Sequence, residues 1–222
     1  MPYLVSVNVA RPVPNPYKPS RSTGIDKQPQ PGPVEVRAPG PQGTGLGSGL
    51  VGDHIGDRAH HGGDDQAVYA FAREDLDAWQ LRLGRPMRNG FFGENLTTRD
   101  LDVNGALLGE RWRIGDEVEL AVTFARIPCS TFRGWVGESR WLKTFTKVAR
   151  PGAYLRVVFP GFVAGGDPIE VVYRPGHDIT VSMGFRAVTT EPDLLPELLA
   201  ADEFLNEEIR DMVARRAAFT LG

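Results

Sequence analysis

Alternating apolar and polar residues predict β-strands through the first three quarters of the chain. The strongest pattern spans residues 111–125 and is interrupted by Gly115-Asp116, which predicts two strands joined by a turn. Its apolar positions are Trp112, Ile114, Val118, Leu120, Val122 and Phe124. Residues 3–9 alternate in the same way, with valines at every second position. Further strands are expected at 34–36, 66–72, 154–159 and 169–173, while residues 12–22 and 38–52 have the proline and glycine content of loops.

Helical spacing occurs once in the middle of the chain and again in the tail. A helix is predicted from Glu74, because Leu76, Trp79 and Leu83 share one face and Gly84 can end it. Beyond residue 178, apolar residues recur at intervals of three and four, which predicts two or three small helices. The apolar residues of this tail include Val181, Leu194, Leu195, Leu198, Leu199, Leu205, Ile209, Met212 and Val213.

The amino-acid composition also predicts a fold with many turns. The 26 glycines and 18 prolines among 222 residues favour a β-rich protein over a helical bundle, and 41% hydrophobic residues suffice for a sizeable core. We therefore expect an α+β fold that is mainly β. Its parts would be a β-rich domain at 1–176 and a small helical domain at 177–222.

Charge and cysteine content limit the class of protein. The net charge of -3 gives no overall basic surface, so a nucleic-acid polymer is not an expected partner. A single cysteine, Cys129, cannot form an internal disulfide, which fits a reducing compartment. The first residues lack the apolar run of a signal peptide, and no apolar stretch is long enough to cross a membrane. A cytoplasmic protein is expected.

The densest polar cluster is residues 52–66, which hold three of the four histidines and Asp53. Glycines after His60-His61 permit positive φ and close approach of a ligand to the backbone. The segment is interpreted either as an anion- or cofactor-binding loop, or as a tight turn whose histidines bond to neighbouring backbone.

Three shorter motifs also carry candidate chemistry. Asn95 and Thr97 could hydrogen-bond a heterocycle, or only cap a turn. Cys129 follows the strongest strand, and the nearby Arg126 would favour its thiolate, although a lone cysteine is often buried and inert. The third motif could bind a phosphate or be a solvated loop; its residues are Arg21, Thr23 and Lys27. The tryptophans are interpreted as packing residues.

The order of these motifs resembles the MOSC family, named for the C-terminal domain of molybdenum cofactor sulfurase, and most closely its bacterial YiiM-type subgroup. The resemblance is carried by Thr23-Gly24-Ile25 with Lys27, Gly52-Asp53, His60-His61-Gly62-Gly63, Asp65-Gln66-Ala67-Val68-Tyr69, Phe92-Gly93-Glu94-Asn95-Leu96-Thr97, Ile114-Gly115-Asp116 and Arg126-Ile127-Pro128-Cys129. It runs from about residue 4 to about residue 175, and the tail resembles the three-helix domain that follows in this subgroup. Asp64 departs from the pattern, since proline is expected there in many relatives.

This resemblance implies a β-barrel-like fold that binds a molybdenum–molybdopterin cofactor. It implies that Cys129 is the protein ligand to molybdenum, a role that suits a soft thiolate. The phosphate and pterin would need cations, amides and backbone N–H donors. The expected cofactor-binding residues are Thr23, Lys27, His60, His61, Gly62, Asn95, Thr97, Arg126 and Cys129.

The resemblance also implies an oxidoreductase that reduces N-hydroxylated compounds such as hydroxylaminopurines. Cys129, His61 and Asp53 are the expected catalytic residues, with the histidine pair or Asp53 managing protons. The sequence has no flavin fingerprint and no cysteine-rich iron–sulfur motif, so a separate electron donor is expected, such as a flavin-containing reductase.

Other functions fit the same residues. The protein could carry the cofactor, or sulfur on Cys129, without turnover. A zinc site from the histidine loop has poor ligand spacing, and a cysteine hydrolase lacks a base–orienter pair near Cys129 in sequence. The apolar faces of the tail could pack on the barrel, form a homodimer or contact the electron donor.

Overall fold

The computed structural model describes residues 1–18 and 22–216, and it contains twelve strands and five α-helices in that part of the chain. In chain order, β1 to β12 are Tyr3–Val9, Val13–Pro14, Ser22–Thr23, Gln28–Pro29, Val34–Val36, Val68–Ala72, Leu96–Arg99, Arg111–Ile114, Val118–Ala125, Ala153–Phe159, Gly161–Val163 and Ile169–Tyr173. The helices α1 to α5 are Arg73–Leu83, Ser130–Val136, Trp141–Val148, Val181–Thr189 and Glu207–Arg215. Two 3₁₀ segments are Asp64–Gln66 and Pro192–Phe204.

The segment before β3 differs from the sequence expectation. Residues 12–22 were expected to form an irregular loop, but β2 and β3 pair there, with Val13 opposite Thr23. Arg21, a candidate phosphate partner, lies outside the described residues, as do residues 217–222 of the expected helical tail.

One eight-stranded sheet organises the protein, in the order β12-β8-β9-β10-β6-β7-β1-β4. Its neighbours are antiparallel except β6 and β7, which are parallel and joined through α1. A parallel pair needs a crossover of this kind, and the helix covers the sheet where it crosses. The pairs β5–β11 and β2–β3 lie outside this sheet.

The two ends of the sheet approach each other, which makes it barrel-like without full closure. The start of β1 bonds to the segment just before β12: Leu4 N–H donates to Asp167 O at 2.9 Å, and Gly166 N–H donates to Leu4 O at 2.7 Å. Ile169 N–H donates to Pro2 O at 2.9 Å. The expected mainly β, barrel-like fold with added helices is confirmed.

An aromatic cluster joins the helices to the sheet. Phe92 lies at its centre, with ring centroids of Phe132, Phe71, Trp141 and Trp79 at 5.1 to 6.2 Å. Edge-to-face contacts of this kind stabilise a core beyond the area they bury. The cluster holds α1, α2 and α3 on one side of the sheet and so fixes the residue that precedes α2, which is Cys129.

The helical tail packs onto the sheet. Ile179 O accepts from Leu108 N–H at 3.0 Å, and Val181 N–H donates to Ala106 O at 2.9 Å. Phe185 of α4 is fully buried, and Gly184 lies so close to the Phe124 ring that an added Cβ would be 3.0 Å from it. The helices predicted for the tail are therefore present, while the domain boundary at 176/177 stays a prediction.

Within residues 1–18 and 22–216, no helix is both long and apolar enough to cross a membrane.

Candidate functional site

A cleft of about 110 Å³ opens beside the end of β9, where loops from distant parts of the chain meet. The predicted site residues that line it are Thr23, Lys27, His61, Gly62, Asn95, Arg126 and Cys129. Of the other predicted site residues, Asp53, His60 and Thr97 do not line it. The fold thus brings the four sequence motifs to one place.

Two loops form one wall of the cleft by packing backbone against backbone. A Cβ on Gly24 would collide with the carbonyl of His54, and a Cβ on Gly56 would collide with the carbonyl of Ser22. Only glycine permits this approach. The histidine loop is therefore anchored to the segment that carries Thr23.

Cys129 stands at the strand exit, immediately before α2, and is partly buried. Burial alone would raise the pKa of its thiol, but a hydrogen bond with His61, the charge of Arg126 and the charge of His61 outweigh burial, and the Phe132 backbone N–H adds to them. The pKa falls from 9.0 to about 6. The thiolate is then the main form near neutral pH, and it is the form that ligates metals and acts as a nucleophile.

Arg126 supplies a fixed, buried positive charge next to that thiol. Its Nη1–H donates to Phe92 O at 2.8 Å, and its guanidinium lies 3.7 Å from the Phe132 ring centroid and 5.3 Å from that of Tyr69. Among the described residues, no carboxylate forms an ion pair with it. Burial opposes the charge, but Tyr69, Tyr154 and Cys129 raise the pKa of Arg126 overall. Among the described residues, the cleft therefore has a cation that faces the Cys129 thiol rather than a carboxylate, which suits the binding of an anion.

Asp53 lies under the cleft and accepts a full set of hydrogen bonds. Lys27 Nζ lies 2.6 Å from both carboxylate oxygens, Ser48 Oγ donates at 2.7 Å, Asn95 Nδ2 at 2.9 Å and Ala10 N–H at 2.8 Å. Burial tends to raise the pKa of Asp53, but the charge and hydrogen bonds of Lys27, with those of Ser48 and Ala10, lower it. Such a carboxylate is held ionised and shielded, which suits positioning better than proton transfer.

Asn95 and Thr97 tie the site to the sheet. Asn95 Oδ1 accepts from Tyr69 N–H at 3.1 Å, so its amide is engaged on both sides by protein groups. Thr97 is fully buried and bonds to Asn8 and Glu94 at 3.0 Å each. Asn95 thus lines the cleft and also bonds to the residues around it, whereas Thr97 stabilises the strand behind the cleft without lining it.

The three loop histidines point to different partners. His61 contacts Cys129, whereas His54 Nε2 lies 2.9 Å from Ser22 Oγ and His60 Nδ1 lies 3.1 Å from an oxygen of Asp57. His60 is exposed and does not line the cleft. Within the described residues, no three His, Cys, Asp or Glu side chains converge as metal ligands, so this arrangement gives no support to a zinc site.

Two tyrosines that were not predicted as site residues also line the cleft. Tyr69 on β6 and Tyr154 on β10 lie directly opposite each other, with ring centroids 5.4 Å apart, beside Arg126. Burial raises the pKa of Tyr154 to about 12, so it stays a neutral donor. Tyr69 was noted only within the family motif. Predicting that Tyr69 lies opposite Tyr154 would require the pairing register of β6 and β10, which the sequence alone does not give.

A comparison with protein families matches residues 57–170 to the MOSC domain. Among curated proteins, the chain is 29% identical over 184 residues to the uncharacterized protein YflK of Bacillus subtilis, covering 82% of this chain and 79% of that one. It is 28% identical over 174 residues to protein YiiM of Escherichia coli, covering 76% and 77%. A protein named Reductase from Gibberella moniliformis is 29% identical over 158 residues, and that match covers 69% of this chain but only 26% of the fungal protein.

Solved structures agree with this relationship. YiiM from Geobacillus stearothermophilus superposes with a TM-score of 0.77 at 26% identity, covering 98% of this chain and 100% of that one. YiiM from Escherichia coli superposes with a TM-score of 0.70 at 22% identity, covering 97% and 92%, and this likeness concerns the fold.

Proposed function

Because this chain belongs to the MOSC domain family, we propose that its cleft binds a molybdenum–molybdopterin cofactor through Cys129. The protein would be an oxidoreductase that reduces N-hydroxylated compounds, such as hydroxylaminopurines, with electrons from a separate flavin-containing reductase. The observation that carries the proposal is the Cys129 thiol, whose pKa is about 6, set between His61 and the buried Arg126. The name of the Gibberella relative, Reductase, supports a reductive activity.

The donor set of the cleft fits this cofactor. A thiolate is a soft ligand suited to molybdenum, and the cofactor's phosphate needs cations and hydroxyl or N–H donors. The cleft offers the Arg126 guanidinium and the Thr23 hydroxyl, and Gly62 leaves its wall without a side chain. When bound, the cofactor would supply two-electron oxygen-atom transfer.

The residues of the chain would divide the remaining tasks. Cys129 would be the protein ligand, Arg126 would hold negative charge, and Tyr69 and Tyr154 would shield one side of the group. Reduction of an N-hydroxyl compound consumes two electrons and two protons and yields the amine and water. His61, beside Cys129 at the cleft, would relay protons from solvent, since an imidazole can both accept and donate a proton.

Asp53 takes a different role in this proposal from the catalytic one expected from sequence. Its carboxylate accepts hydrogen bonds from four other residues and is shielded from solvent. We assign it to positioning Lys27 and Asn95 rather than to proton transfer. His60, exposed and bonded to Asp57, is not assigned a role in binding.

A turnover assay tests the function against the alternative of a cofactor or sulfur carrier. The protein is purified from a host that makes the cofactor and is given reduced methyl viologen and 6-N-hydroxylaminopurine. Adenine formation by the wild-type protein and by His60→Ala, with none by Cys129→Ser, would support the proposal. A wild-type protein that contains cofactor but forms no adenine would overturn the enzymatic function and favour the carrier.

A further inference from the structure

A second concave surface lies on the outside of α2 and α3, away from the cleft. This basic groove has a volume of about 780 Å³ and shares no lining residue with the cleft. Its lining includes Arg133, Arg140, Trp141, Leu142, Lys143 and Lys147. The groove is therefore a separate feature that the proposed cofactor site does not use.

The groove concentrates positive charge on a chain that is acidic overall. Arg133, Arg140, Lys143 and Lys147 are all exposed, and none forms an ion pair with another described residue. The acidic residue at the edge, Glu191, is paired with Arg186 at 2.9 Å. Since the whole chain has a net charge of -3, this face is a local reversal of sign that would attract an anionic partner.

The local helix geometry places these charges around an apolar centre. Lys143 and Lys147 are four residues apart and so lie on one face of α3, and Arg140 is the residue immediately before the helix. The two lysines span roughly 6 Å along that face at 1.5 Å per residue. Leu142, which is partly exposed, contributes apolar surface among these basic residues, whereas Trp141 is only 1% exposed and forms the floor of the groove. An apolar centre with a charged rim is the usual anatomy of a protein–protein interface.

The groove begins one helical turn from Cys129, the residue that carries the thiol of the cleft. Arg133 N–H donates to Cys129 O at 2.9 Å, in the first turn of α2. A protein seated on the groove would therefore contact the same helical turn that begins at Cys129. That proximity matters for an electron donor, because it must bring its redox group close to the acceptor, and matters little for a small anion.

We propose that the basic groove docks an acidic surface of the flavin-containing reductase that donates the electrons, and an acidic flavodoxin serves as the probe of that surface chemistry. This inference rests on the proposed function for the identity of the donor. The exposed charges would act mainly by steering and orienting the donor, so the complex would be weak, rapidly formed and sensitive to salt.

Calorimetric titration of the full chain with an oxidised acidic flavodoxin tests the docking without any turnover. The variant is Lys143→Glu with Lys147→Glu, and the matched control is Arg11→Glu with Arg37→Glu, two exposed arginines that do not line the groove. At low ionic strength the groove variant should raise the Kd at least about tenfold, and the control should change it less than about twofold. Lys143→Arg with Lys147→Arg should bind as the wild type does, which separates lost charge from a damaged helix.

Binding that is equal for wild type and groove variant, or wild-type binding that is absent at low ionic strength, would overturn the docking proposal. Turnover with methyl viologen separates this result from the proposed function, because a small donor needs no docking surface. Viologen turnover should be unchanged in the groove variant. If the wild type shows no viologen turnover, the proposed function fails, while the flavodoxin titration still decides whether the groove binds an acidic protein.

Discussion

Lys27 Nζ lies 2.6 Å from both carboxylate oxygens of Asp53, and the side chains of the two residues are 5% and 0% exposed. This pair joins the 22–27 segment to the histidine loop beneath the cleft. Breaking a buried ion pair by removing one charge is costly, because the other charge is left without a partner. The pair therefore fixes the cleft's base, and much of the charge of Lys27 is compensated before any ligand binds.

Asp53→Asn is predicted to destabilise the protein by about 3 to 5 kcal/mol at pH 7, because Lys27 would stay buried without its counter-charge. Urea unfolding would measure the loss, and Asp53→Asn combined with Lys27→Met should cost less than the two single changes added together. Additive costs in that cycle would contradict the pairing.

The same variant should show a particular dependence on pH. The pKa of Asp53 is lowered from 3.8 in the folded protein, so its contribution is complete above that value and is lost as pH falls through the lowered folded pKa. The stability difference between wild type and Asp53→Asn should thus be constant from pH 7 to 5 and shrink only in stronger acid. A difference already lost at pH 5 would count against a lowered pKa.

Cys129 of the cofactor-free protein is predicted to react with iodoacetamide at a rate that rises with a midpoint near pH 6, because its pKa is about 6. His61→Ala removes the hydrogen bond to the thiol, so the midpoint should move toward the ordinary value of 9.0. Rates across pH 4 to 10 would give both midpoints.

His60→Ala is the control for this titration, because His60 is adjacent in sequence but exposed and bonded to Asp57. Its midpoint should match that of the wild type. Equal effects of the two histidine changes would show that the His61 contact does not set the thiol's pKa.

Gly62→Ala is predicted to be more damaging than Gly52→Ala, although both glycines have positive φ, +79 and +85. A Cβ on Gly62 would lie 2.6 Å from the Gly47 carbonyl oxygen, whereas a Cβ on Gly52 would meet nothing within 4 Å. Gly52→Ala should cost about 1 kcal/mol from backbone strain, and Gly62→Ala at least about 1 kcal/mol more. Thermal unfolding of the two variants would decide, with equal Tm values contradicting the close approach.

Phe185→Ala is predicted to destabilise the whole protein by about 3 to 5 kcal/mol, because this α4 residue is fully buried and its ring lies 6.3 Å from Phe145. Leu199→Ala, at a side chain that is 58% exposed, should change stability by less than about 0.5 kcal/mol. Unfolding followed by calorimetry should keep a single transition. Separation of a second transition in the Phe185 variant would show that the tail is an independent domain.

Strands with strong alternation could be predicted in detail, and weaker ones only in part. Val118, Leu120 and Val122 of β9 are buried as the sequence predicts. In β1 the strand was predicted and Val7 is buried as expected, but Val5 and Val9 are only partly buried, while Leu4, Ser6 and Asn8 lie inside. A bulge between Leu4 and Ser6 shifts the register there. A bulge leaves no mark in a hydrophobic pattern. The helices α2 and α3 were not predicted at all.

Most residues of the site could be predicted from the sequence, but the contacts between them could not. Arg126 and Cys129 are three positions apart, so the sequence allows them to share a side only if the backbone bends between β9 and α2, which it does. The contact of His61 with Cys129 and the hydrogen bonds to Asp53 depend on how distant loops pack. No local sequence pattern indicates that His61, and not His60, contacts the thiol. The basic groove was equally hard to predict, because only the packing of α2 against α3 brings Arg133 into one surface with Arg140, Lys143 and Lys147.

The central claim is that Cys129 holds a molybdenum cofactor, and metal and pterin analysis tests it most directly. Wild-type protein and Cys129→Ser are purified in parallel from a host that supplies the cofactor, with molybdenum measured by mass spectrometry and pterin by fluorescence after oxidation. We predict near-stoichiometric molybdenum and pterin in the wild type and loss of molybdenum in the variant. Equal molybdenum in the two proteins, or none in the wild type under conditions that load other molybdenum enzymes, would contradict the claim.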